Sequence, residues 1–82
     1  MRLVSDVLSR YIDSPEYPSL DKFRNAEVIS EHDSRKEPWP LIVGKNVTFW
    51  WQLKDGHVIG MNENPSTGLS FVIGKKLPRR HA

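Results

Sequence analysis

The chain has 82 residues, with 12 Lys or Arg against 10 Asp or Glu and no cysteine. That length makes a single small domain, which buries only about 60% of the surface its unfolded chain exposes, and without cysteine neither a disulfide framework nor a thiolate metal site reinforces it. The longest apolar run falls far short of the ~20 residues of a membrane helix, and Ser5, Asp6, Ser9 and Arg10 interrupt the N-terminal stretch where a signal peptide is continuously apolar, so a cytoplasmic protein without membrane contact is expected.

Met1 to Asp13 spaces Leu3, Val4, Val7, Leu8, Tyr11 and Ile12 by three and four residues, which predicts an amphipathic helix over Leu3 to Ile12. Asp13-Ser14-Pro15 stops it, because the residue before a proline avoids helical angles. A helix this short is marginal alone and draws its stability from docking. Ser19 then caps a brief turn through Phe23. Ala26 to His32 reads as a short strand or extended arm, with Val28 and Ile29 its strong β-formers. The charged run His32 to Glu37 is a solvated loop, and Pro38-Trp39-Pro40 imposes stiff, polyproline-like geometry. Leu41-Ile42-Val43 ahead of Gly44-Lys45-Asn46 predicts a further short strand turning into Val47.

Val47 to Gly74 is the part the rest packs around, and it reads as three antiparallel strands. Asp55-Gly56 suits a two-residue type I′ turn, which sets Leu53 opposite Val58, Trp51 opposite Gly60, Trp50 opposite Met61 and Phe49 opposite Asn62. Gly60 then leaves room for the Trp51 indole. A four-residue loop from Asn64 to Thr67, closed by Glu63 and Gly68, places Phe71 beside Gly60 and Ile73 beside Val58. Alternation along the strands gives a core face of Val47, Phe49, Trp51, Leu53, Val58, Leu69, Phe71 and Ile73. The other face carries an apolar patch of Trp50, Ile59, Met61 and Val72. The expected fold is α+β, an N-terminal helix packed on a three- to five-stranded antiparallel meander; a small SH3-like β-barrel with an N-terminal helix is the alternative.

No motif points to catalysis, and the chain is read as a non-enzyme without cofactor. Asp55 and His57 flank the hairpin glycine, but the turn explains Asp55, Lys54 pairs across from His57, and no nucleophile is placed against them. His32, His57 and His81 lie on separate segments without ligand spacing, so no metal site is expected. Asn62-Glu63-Asn64 lacks the acidic alternation of a calcium loop.

Phe49, Trp50 and Trp51 are consecutive, so Trp50 faces away from the Trp51 core. Either the Pro38-Trp39-Pro40 arm or the tail covers it, or it meets a partner. The partner reading makes the protein a small binding or regulatory module acting through protein contacts or self-association on an exposed face, with Trp50, Ile59, Met61 and Val72 as contact residues. The alternative is a single-stranded nucleic-acid binder, with Trp50 as stacking platform and Lys45, Lys54, Lys75, Lys76, Arg79 and Arg80 along the backbone. Residues 1 to 40 hold six basic against eight acidic side chains, and residues 41 to 82 six against two. The basic excess gathers in residues 75 to 82, read as a flexible tail.

Overall fold

A computed structural model describes residues 2–11 and 18–75, the side chains of residues 18 and 19 excepted. It contains β1 (Arg2–Leu3), α1 (Val4–Leu8), α2 (Pro18–Asp21), β2 (Glu27–Asp33), β3 (Phe49–Leu53), β4 (His57–Asn64) and β5 (Gly68–Lys75). The strands form one open antiparallel sheet in the order β1-β2-β3-β4-β5, a small α+β fold with one short N-terminal helix. Among the described residues β1 pairs only with β2 and β5 only with β4, so the sheet does not close into the barrel held as the alternative.

The predicted N-terminal helix is shorter than its apolar stripe. Arg2 and Leu3 are extended and pair with Val28 and Glu27, and Leu3 offers no side-chain cap. The first helical N–H groups, which have no partner inside a helix, are taken up elsewhere in the fold. Val4 N–H donates to the Ala26 carbonyl and Ser5 N–H to the Arg24 carbonyl, both at 3.0 Å. Val4, Val7 and Leu8 are buried, Tyr11 closes a turn by donating its N–H to the Leu8 carbonyl, and Ile12 lies outside the described residues.

The central hairpin differs from expectation by one residue. Phe49 pairs with Met61, Trp50 with Gly60, Trp51 with Ile59 and Gln52 with Val58. The reason lies in the turn. A type I′ turn needs positive φ at both Asp55 and Gly56, and a side chain at positive φ is strained. In the structure Gly56 alone has it, at +97°, and no non-glycine residue does. Gly56 N–H donates to the Leu53 carbonyl at 3.1 Å, the pattern of a three-residue loop ending in a left-handed glycine.

A one-residue slip turns a whole strand over. Ile59 and Met61 therefore join Trp51 on the first face, and Val58 and Gly60 join Trp50 on the second. The next hairpin slips as well: Asn64 pairs with Gly68, Met61 with Phe71, Ile59 with Ile73 and Gly60 with Val72. The two slips cancel in β5, so Leu69, Phe71 and Ile73 lie on the Trp51 face as expected.

The first face holds the main core, in which Val4, Val7, Leu8, Leu20, Phe23 and Val28 cover Trp51, Leu53, Ile59 and Met61. The fifth strand is Arg2–Leu3 rather than the predicted 41–43, which the structure places in turns. β2 carries an extra residue at Ile29, where the register shifts between Val28 and Ser30. This bulge re-aims the strand: Val28 faces the main core opposite Leu53, while His32, opposite Trp50, faces the second side.

Candidate functional site

The second face of the sheet is covered by the segment from Ser34 to Thr48. Asp33 starts it. Its Oδ1 accepts the Arg35 N–H at 2.9 Å, its carboxylate meets the Arg35 guanidinium at 2.9 Å, and its carbonyl accepts the N–H groups of Lys36 and Glu37. The side-chain and backbone hydrogen bonds from Arg35 hold the Asp33 carboxyl at a pKa of about 2, below its ordinary 3.8.

The Glu37 carbonyl then accepts the Trp50 indole N–H at 2.7 Å. The Trp39 ring stands edge-on to Trp50, with centroids 6.0 Å apart, and His32 stacks on Trp50 at 4.1 Å. Trp50 is 3% exposed. It forms a second, smaller core with Val47 and Val58, against which Trp39 and Leu41 pack.

Glycines in the sheet make the shelves on which this segment rests. A methyl group on Gly60 would lie 2.7 Å from Val47 Cγ2 and 2.9 Å from the Trp39 ring, and one on Gly74 would strike Leu41. Gly60 thus leaves room for an indole, but that of Trp39 on the second face. Gly44, at φ +76°, fits against Val72 in the same way. The loop is tied across its own base: the Trp39 indole N–H donates to the Val43 carbonyl, and Val47 N–H donates to the Gly44 carbonyl at 3.0 Å. Between the Leu41 and Gly44 anchors, Ile42 is 91% and Val43 70% exposed. The segment therefore presents two β-branched side chains on a pinned loop over the edge strand β5.

The residues expected to form an exposed patch are dispersed. Ile59 and Met61, each 1% exposed, belong to the main core. Trp50 is buried in the second core, and Val72 lies under Gly44. The register slip explains Ile59 and Met61; the folded-back arm explains Trp50 and Val72. Of the basic set, Lys45 is exposed on the loop. Lys54 and Lys75 are both at the hairpin end of the sheet, Lys75 being the ladder partner of His57 with its Cε beside Gly56. Lys76, Arg79, Arg80 and the rest of the basic tail lie outside the described residues. Trp50, with His32 against its ring, offers no open stacking surface.

Asp55 and His57 do approach one another, with Nδ1 3.0 Å from Oδ1. The His57 backbone N–H donates to Asp55 at 2.9 Å and is the main reason its carboxyl is held below the usual range. The imidazole packs on Phe23 at 4.9 Å, so these contacts close the hairpin tip. Lys54 does not pair with His57 as expected; its N–H donates to the Glu27 carbonyl at 2.9 Å and its ammonium lies 3.9 Å from the Glu27 carboxylate. Among the described residues no group of three or more His, Asp or Glu side chains gathers to hold a metal ion, and no helix is long and apolar enough to cross a membrane.

Sequence reasoning missed Ile42 and Val43 by assigning them to a strand. The signal was present in Pro38, Pro40 and Gly44, which bracket them with turn-formers, and in Gly60 and Gly74, which mark where another segment approaches the sheet. Comparison with protein-family models, curated proteins and solved structures finds no match to this chain.

Proposed function

We propose that this chain is a small non-catalytic binding module that works through protein contacts, at the surface where Ile42 and Val43 stand over β5. The observation that supports this reading is the contrast within one loop. Trp39, Leu41 and Gly44 are packed onto the sheet, while the two aliphatic side chains between them are left in water. Isolated exposed apolar residues are ordinary. Two adjacent ones on a loop already ordered by a side-chain hydrogen bond and three packing contacts form a preorganised anchor, because less conformational entropy remains to be lost on binding.

The test is site-specific photo-crosslinking in cells producing the protein, with a photoreactive residue at position 42 and a control at the exposed Asn25. Protein adducts specific to position 42 and lost with Val43→Asp are expected. Adducts equal at both positions, or adducts to nucleic acid alone, would refute the reading.

A further inference from the structure

We infer that the hairpin end of the sheet binds the phosphodiester backbone of a nucleic-acid duplex without reading its bases, a function separate from the protein contacts proposed above.

The β3–β4 turn, the start of β2, the end of β5 and the turn after α2 meet at this end. Lys54 N–H donates to the Glu27 carbonyl at 2.9 Å, His57 is the ladder partner of Lys75, and the Phe23 ring packs on the His57 imidazole at 4.9 Å. Four exposed cations, Lys22, Arg24, Lys54 and Lys75, stand there with three acids, Asp21, Glu27 and Asp55.

Each acid is already engaged. Asp21 lies 3.4 Å from Arg24 and Glu27 3.9 Å from Lys54, while Asp55 accepts the His57 backbone N–H at 2.9 Å and has the imidazole 3.0 Å away. Lys22 and Lys75 have no acidic side chain within ion-pair distance among the described residues. Lys22 instead holds its ammonium over the Phe23 ring, 5.5 Å from the centroid. Lys75 lies against the turn, its Cε 3.6 Å from where a Cβ on Gly56 would be. One unpaired cation thus borders the Phe23 end of the ring pair and another the His57 end. β5 stops at Lys75, and Lys76, Arg79 and Arg80 follow in the sequence with no acidic residue among them.

The chemistry of this surface selects the ligand. Ammonium groups set apart by two rings do not converge on one atom, so they suit a polymer with a charge on every unit rather than a single small anion. Among residues 21–27, 54–57 and 74–75 no large apolar side chain is exposed, Phe23 being 8% exposed, so nothing here inserts into a lipid surface. No ring is open for an unpaired base either, since Phe23 is covered and Trp50 is shielded by His32. Single strands are held largely by such stacking, whereas a duplex, with its denser phosphates, needs only the charges.

Fluorescence anisotropy of a labelled, mixed-sequence DNA duplex titrated with the full chain at several salt concentrations tests the inference. A dissociation constant on the order of 10⁻⁵ M near physiological salt, falling steeply as salt is lowered, is expected. Lys22→Gln and Lys75→Gln should each reduce the slope of log affinity against log salt by about 0.9, one phosphate contact on a duplex. Lys75→Arg should retain the slope, and Lys45→Gln, on the loop covering the other face, should leave it unchanged. All three lysines are exposed, so circular dichroism melts should match the wild type. Equal losses with Lys45→Gln would mean general attraction to a basic protein, and indifference to both Lys22→Gln and Lys75→Gln would assign binding to residues 76–82. Either result overturns the site, as does an absence of binding at low salt. A single strand bound more tightly than the duplex, or a preference for vesicles containing phosphatidylserine, would overturn the choice of ligand. Protein adducts at position 42 are measured separately, so the failure of one reading leaves the other standing.

Discussion

Gly60→Ala probes the structure at the point where the sheet, its register and the covering loop meet. The glycine is buried, and its φ is not in the left-handed region, so alanine meets no backbone penalty there. The added methyl group lies 2.7 Å from Val47 Cγ2 and within 3.0 Å of two Trp39 ring carbons. Neither neighbour yields easily: Val47 is branched and 6% exposed, and Trp39 is held by its hydrogen bond to the Val43 carbonyl and its contact with Trp50. Overpacking of this kind costs about 1–3 kcal/mol, partly offset by the ~0.5–1 kcal/mol that alanine gains over glycine in backbone entropy. The net loss of about 1–2 kcal/mol lowers Tm by about 4–16 °C for a domain of this size. Thermal unfolding followed by circular dichroism measures it, and a cycle with Trp39→Ala assigns it. With the ring gone only the Val47 contact remains, so the two substitutions should be coupled by about 1 kcal/mol. A neutral or stabilising Gly60→Ala, or strict additivity with Trp39→Ala, would refute the placement of Trp39 on Gly60.

The two central tryptophans make a paired prediction. Trp50 and Trp51 are 3% and 1% exposed, so replacing either with alanine should cost about 3–5 kcal/mol; a mild Trp50→Ala melt would mean that the second face is open in solution. Asp33 gives a pH prediction whose sign follows from its lowered pKa. The carboxylate's contribution is complete above the ordinary value of 3.8 and disappears as pH falls through about 2, so Asp33→Asn should flatten that part of the acid limb of a stability–pH curve, and identical acid limbs would contradict it. Both carboxylate oxygens of Glu31 accept from Arg10 Nη2 at 3.1 Å, and Oε1 lies 3.5 Å from Arg2 Nη1. The two arginines are about half exposed and Glu31 is 26% exposed, so the pairs are partly screened by water and Glu31→Gln should cost at most about 1 kcal/mol and lose its effect at high salt; a larger loss, independent of salt, would assign Glu31 a packing role.

Local chemistry alone determined much of this protein. The glycine-bounded, aromatic and β-branched runs after Phe49 specify three strands and two tight turns, because those residue types fit few other backbone conformations. The alternation of Phe49, Trp50 and Trp51 places the two indoles on opposite faces whatever the register, since period two is a property of the extended chain. What tertiary structure decided was which neighbour each residue meets. Asp55-Gly56 suggests a two-residue turn, but the three-residue loop spares Asp55 a positive φ, and the register that follows sets Ile59 and Met61 with Trp51 in the main core and Val58 with Trp50 in the second. The N-terminal stripe announces a helix at Leu3, but the carbonyls of Arg24 and Ala26 and the edge of β2, all distant in sequence, converted its start into a strand. Pro38-Trp39-Pro40 stiffens its segment without saying which way it points. Only the shelves at Gly60 and Gly74, with the Glu37 carbonyl facing the Trp50 indole, turn it back over the sheet. That return covers Trp50 and leaves Ile42 and Val43 in water, because a loop pinned at both ends must direct the residues between its anchors outward.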